Sequence, residues 1–182
     1  MGAPDARPGP SAGRPRRNAE AALTAAAAHG LGEPQGLEGW ARAQRRTGRW
    51  ALARRTAERM RTADAAGGSF CLAFAVGGRE GAQAARPVWR EAARLPAGRE
   101  LTADASDFLH AVIAAGLEDW PGLDARLTGL LSGPREWIDV AWLADLLEQL
   151  LHTPGTDAAR LTARGERVRE ARDGIRARYS HQ

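Results

Sequence analysis

The clearest pattern in the chain is apolar residues recurring every three or four positions across its second half. Phe108, Leu109, Val112, Ile113 and Leu117 form one such stripe. Leu123, Leu127, Leu130 and Leu131 form the next, and Val140, Trp142, Leu143, Leu146, Leu147, Leu150 and Leu151 form a third. This spacing predicts three amphipathic helices packed around a common core. At roughly 1.5 to 3 kcal/mol for each fully buried large apolar side chain, these positions dominate the stabilising side of folding. A last helix, from Ala158 to about Tyr179, carries only a thin seam of Leu161, Val168 and Ile175 and is expected on the surface of the bundle.

The first half is less regular. Met1 to Arg17, with Pro4, Pro8, Pro10 and Pro15 and little to bury, reads as a disordered leader. Asn18 is a plausible cap for an alanine-rich helix over Ala19 to His29, which Gly30, Gly32 and Pro34 would end. Trp40, Ala43, Thr47 and Trp50 share one helical side, and Arg42, Arg45, Arg46 and Arg49 take the other. Beyond Gly48 the apolar set Ala53, Ala57 and Met60 is rotated away, so a break is expected near Gly48 to Ala51. Ser69 then serves as a cap for a short apolar helix, Phe70 to Val76, closed by Gly77 and Gly78. Pro87 suits the first turn of a helix running through Trp89 to Leu95, which Pro96 and Gly98 stop. No alternating apolar runs flanked by turn pairs occur, so a sheet is not expected. The resulting fold class is all-α, a helical bundle of two small subdomains: a leader over 1–17, a basic subdomain over 18–100 and a helical bundle over 101–182.

Composition narrows the function. The chain has 182 residues, 43% of them apolar and 26% charged, which excludes disorder along most of its length. The lone Cys71 closes no internal disulfide and lies in an apolar run, so it reads as a buried thiol in a cytoplasmic protein. No apolar stretch nears the roughly 20 residues of a membrane span, and no export signal is evident. All 26 basic residues are arginine, the mark of GC-rich coding, so arginine number alone says little.

The distribution of charge says more. Residues 40 to 62 carry eight arginines against one carboxylate, Glu58, a balance of +7 that exceeds the +4 of the whole chain. From Leu101 to Thr156 two arginines face nine carboxylates, and from Asp157 to Gln182 seven arginines face four. This polarity points to oriented binding rather than a neutral scaffold.

Candidate chemistry is sparse. His29, His110, His152 and His181 are scattered and make no metal-ligand spacing, so no metal and no cofactor are expected. Gly77, Gly78 and Gly81 lack the lysine and hydroxyl residue of a phosphate-binding loop and read as a turn. Carboxylate neighbours such as Glu118 with Asp119, or Asp145 with Glu148, sit at a helix boundary and on a polar flank. They read as solubility and dipole features rather than an acid/base pair. Nothing here supports an enzyme.

The arginine strip is the strongest functional feature. A guanidinium is a planar fork of donors matched to phosphate oxygens, and a cluster of them supplies sequence-independent affinity through counterion release. Arg42, Arg45, Arg46, Arg49, Arg54, Arg55, Arg59 and Arg61 are therefore the candidate nucleic-acid contacts, presented by two adjoining helices as one outward surface. Arg164, Arg167 and Arg172 of the last helix are second-rank candidates. The rival reading is a solvated helix face enriched by codon usage. Trp40 and Trp50 belong to the apolar side and read as core anchors rather than base-stacking platforms.

Trp40, Gln44, Arg45, Gly48, Ala51, Arg54 and Arg55 resemble the early Gln-Arg, Gly, Ala, Arg-Arg stretch of the CasB family, the small subunit of the type I-E CRISPR (Cascade) surveillance complex. Phe108 and Leu109, then Arg126, Leu127, Leu130 and Leu131, then Ile138, Val140 and Trp142, are similar to that family's second half, as is a basic terminal helix ending in Tyr179. The resemblance implies an all-helical protein of two subdomains that does no chemistry. It would pack along the other subunits of a multiprotein complex, self-associate as a pair of copies, and hold RNA or single-stranded DNA by its backbone. Arg42, Arg45, Arg46, Arg49, Arg54 and Arg55 would make the phosphate contacts.

Two other readings compete. Helix pairs starting near Gly36, Ser69, Ser106 and Ile138 are 33, 37 and 32 residues apart, close to the period of a tetratricopeptide-like adaptor that binds a protein in a groove. A helix-turn-helix regulator around Gly48 would instead require sequence-selective duplex binding.

Overall fold

The computed structural model describes residues 34–95 and 103–179. Among them are eight helices and no strand: α1 (Pro34–Arg46), α2 (Trp50–Met60), α3 (Ala65–Glu80), α4 (Ala82–Arg94), α5 (Ala103–Gly116), α6 (Trp120–Ser132), α7 (Trp137–Leu151) and α8 (Ala158–Tyr179). The protein is all-α, a helical bundle. The leader over 1–17 and the helix expected over Ala19 to His29 lie outside the described residues, as does the side chain of Trp40.

The break between α1 and α2 falls at Gly48, whose φ of +71° is left-handed. Gly48 N–H donates to the Arg45 carbonyl at 2.9 Å and Arg49 N–H to the Gln44 carbonyl at 2.8 Å. This pair of reversed bonds closes a helix with a glycine just past its end. The same pattern closes α5, where Glu118 N–H reaches the Ala115 carbonyl and Asp119 N–H the Ala114 carbonyl. There the left-handed position is held by Glu118, φ +58°, and not by glycine. The reason lies in its side chain, which accepts from Arg86 of α4 and from the Asp157 N–H that precedes α8. One residue thus ties three elements together, at a backbone cost of about 1 to 3 kcal/mol.

Three expected boundaries move. The apolar helix begins at Ala65, not at Phe70, and its cap is Asp64, whose carboxylate accepts from Gly67 N–H at 2.9 Å. Ser69 is a fully buried residue within it. Gly77 and Gly78 do not stop this helix. They are helical, and they allow close approach: a Cβ on Gly78 would run into the ring of Trp50, and one on Gly77 would crowd Thr153 at 3.2 Å. Likewise Pro87 lies inside α4 rather than in its first turn. Pro87 and Gln83, four residues before it, are both exposed, so water can take the carbonyl that proline leaves without a donor.

The core is continuous from Ala41 to Ile175. Its first part packs α1 to α4 through small residues and three aromatics. Phe70, Phe74 and Trp89 meet edge to face, with ring centroids 5.1 to 5.6 Å apart. Trp89 also lies against Gly116, where a Cβ would collide with the indole, so α4 and α5 join the two parts. The second part is leucine-rich: Leu123, Leu127, Leu143, Leu146 and Leu147 are each no more than 1% exposed. Leu161, Val168 and Ile175 bury the expected seam of α8 against it.

Candidate functional site

The eight arginines of the strip divide into four environments instead of forming a single outward face. Arg42 and Arg46 both turn across to α7 and pair with Asp145, one on each carboxylate oxygen. Arg45, between them in sequence, is 4% exposed. Its guanidinium lies 4.9 Å above the Phe74 ring, and its Nε donates to Gln149 Oε1 at 3.3 Å. The physical cause is helical geometry: positions 42, 45 and 46 of α1 lie on one side, and that side faces the polar flank of α7.

Arginines of α2 go elsewhere. Arg54 pairs with Glu58 and with Glu80 of α3, both at 3.0 Å, and these carboxylates raise its pKa, with the Glu58 hydrogen bond contributing most. Arg61 pairs with Glu91 of α4. Arg55 and Arg59, one turn apart, are exposed and meet no carboxylate among the described residues. Arg49 is half-buried beside the turn.

The second-rank candidates are also tied in. Arg164 lies 5.0 Å above the Trp120 ring and shares Asp124 with Arg167, whereas Arg172 pairs with the adjacent Asp173 at 2.8 Å. The Arg172 hydrogen bond is the main reason the Asp173 pKa is lowered.

Asp145 is the hub of the α1–α7 contact. Burial acts to raise its pKa, but the hydrogen bonds from Arg42 and Arg46, backed by their charges, outweigh burial and hold the carboxyl below its ordinary range. Its Oδ2 also accepts from Gln149 Nε2 at 2.9 Å. Both oxygens are therefore taken, and Arg45 has no carboxylate of its own among the described residues. Arg45 Nη1 is buried without a hydrogen-bond partner.

Beside this contact lies a cleft of about 400 Å³, bounded by the α1–α2 turn, Trp50, Phe74 and the last turns of α7. Sequence reasoning missed this feature. From the sequence, Asp145 reads only as part of a polar flank and His152 only as one of four scattered histidines. The usable signal was the spacing of Asp145, Glu148 and Gln149, which places three polar side chains on one side of α7, with His152 following at its C-cap. His152 is exposed at the rim, and His110, elsewhere, bonds locally to the Ser106 carbonyl at 2.8 Å.

Among the described residues no group of histidine, cysteine and carboxylate side chains is placed to hold a metal ion, and no helix is long and apolar enough to cross a membrane. Cys71 is buried. Compared with protein-family models, curated proteins and solved structures, the chain gives no match.

Proposed function

We propose that this protein is a non-catalytic, nucleic-acid-binding helical subunit that holds a strand by its phosphate backbone. The CasB resemblance implies such a role in a CRISPR surveillance ribonucleoprotein in the cytoplasm. The observation that carries the reading is the outer face of α2, where Arg55 and Arg59 stand one turn apart in solvent with no carboxylate partner among the described residues. The contact set is thereby narrower than the eight-residue strip: arginines engaged with Asp145, Glu80 or Glu91 would have to leave a partner to meet a phosphate. The adaptor alternative is less favoured, because in an open solenoid each repeat touches only its neighbours, whereas α1 here is paired directly with α7.

The test is fluorescence anisotropy with single-stranded RNA and DNA oligonucleotides across a salt series. The expected result is affinity that falls steeply with salt, and a slope reduced by about 1 to 2 in Arg55→Glu/Arg59→Glu. Absent binding, or binding indifferent to salt, contradicts the proposal. Isolation of the protein with RNA of defined length and with other subunits would support the CRISPR assignment, and isolation with a protein partner free of RNA would support the adaptor.

A further inference from the structure

The exposed face of α2 carries an apolar step beside its arginines, and we infer that this step seats an unpaired base of the strand whose phosphates those arginines hold. The base seat rests on the nucleic-acid reading above and adds contact residues to it: Trp50, Ala51 and Leu52 for the base, and Arg79 for a further phosphate. The register of α2 sets the arrangement. Ala53, Ala57 and Met60 face the core, which turns Leu52, Arg55 and Arg59 outward at spacings of three and four, in one line along the helix. Leu52 is 38% exposed. A solitary exposed leucine is ordinary, but this one adjoins a shallow depression of about 370 Å³ that Trp50 and Ala51 also wall. Trp50 is held in place from the other side, since its ring lies against Gly78 of α3 where any Cβ would collide with it.

Charge selects the occupant. Arg49 and Arg79 border the depression, and no carboxylate lines it. Arg79 is exposed and, like Arg55 and Arg59, meets no carboxylate among the described residues. Its neighbour Glu80 is taken by Arg54, as is Glu58. The cleft at the α1–α7 contact differs, because Asp145 and Glu148 line it and oppose a polyanion. Phosphates need guanidiniums and gain nothing from Leu52 or Trp50. A flat base gains by burying its face on apolar walls, and in a strand it is tethered to phosphates on both sides. An unpaired strand joins the two on one ligand, with a base in the depression, a phosphate at Arg79 and the following phosphates along Arg55 and Arg59. A duplex keeps its bases inside the stack and offers this surface only phosphate.

The experiment is fluorescence anisotropy of the full chain with oligothymidylate of about 12 nucleotides and with an abasic strand of the same length and charge. At equal salt the abasic strand is expected to bind about 5-fold or more weakly, with the same salt slope. Leu52→Ser is expected to weaken oligothymidylate binding about 3-fold or more and to leave the abasic strand unaffected, and Leu52→Trp to tighten oligothymidylate by a similar factor. Leu52 is exposed, so both variants keep the fold. Arg79→Gln is expected to lower the salt slope by about 1 with either strand. Equal, steeply salt-dependent binding of the two strands would overturn the base seat and leave the phosphate reading standing. Unchanged oligothymidylate affinity in both Leu52 variants would do the same, and an unchanged slope in Arg79→Gln would overturn the assignment of Arg79. Binding of neither strand would overturn both the seat and the reading beneath it.

Discussion

The two halves of this bundle reach stability by different means. Helices α5 to α8 interlock leucines, a side chain that fills volume and pays little entropy on burial. Helices α1 to α4 have few leucines at the centre. They bring backbones close through alanine and glycine, set three aromatic rings edge to face, and tie their margins with arginine–carboxylate pairs. The contrast teaches that an arginine-rich segment need not be a binding surface along its whole length. In this fold a good part of it substitutes for the hydrophobic contacts that small side chains cannot make.

Breaking the aromatic centre should have the largest effect. Trp89→Ala removes the ring shared by Phe70, Phe74 and Gly116, and should cost about 4 kcal/mol in chemical denaturation. Leu147→Ala, in the leucine half, should cost about 3 kcal/mol. Because the core is continuous, both changes should lower one and the same cooperative transition. Separate transitions seen by tryptophan fluorescence and by circular dichroism would show instead that the halves unfold independently.

Asp145→Asn sharpens the comparison at the join. It leaves Arg42 and Arg46 facing a neutral amide in a half-buried contact and should cost about 2 kcal/mol near neutral pH. The acid limb should change with it. A carboxyl whose folded pKa is lowered contributes its full stabilisation above the unfolded value of about 3.9 and loses it as pH falls through the folded value. The variant should therefore show a shallower loss of stability below about pH 4 than the parent. Glu118→Gly tests a smaller, opposed pair of terms. It relieves the left-handed backbone but removes the acceptor for Arg86 and Asp157 N–H, so a net loss of about 1 kcal/mol is expected by thermal denaturation.

The difference between the halves also explains what could be read from the chain in advance. The leucine helices, the α8 seam and the Gly48 break were legible because each leaves a one-sided or glycine-marked pattern. Helix α3 was misread at both ends because ten successive residues, Gly68 to Gly77, are buried on all sides. A helix enclosed in this way has no polar face to betray its period, and its glycines look like stops when they serve contact. Periodicity placed Arg42, Arg45 and Arg46 together on one side of α1, but could not say that α7, some hundred residues away, covers that side. The cleft beside Arg45 depends on the same long-range contact.

Inner arginines join helices, and the proposed function assigns polyanion binding to the outer pair, Arg55 and Arg59. The most direct measurement sets Arg42→Gln beside Arg55→Glu/Arg59→Glu, reading thermal stability and oligonucleotide affinity on each protein. The expected result is a crossing: the inner variant loses stability yet keeps salt-dependent binding while folded, and the outer variant stays within about 0.5 kcal/mol of the parent but loses most binding. Equal effects of the two variants on affinity, or unimpaired binding by the outer variant, would contradict it.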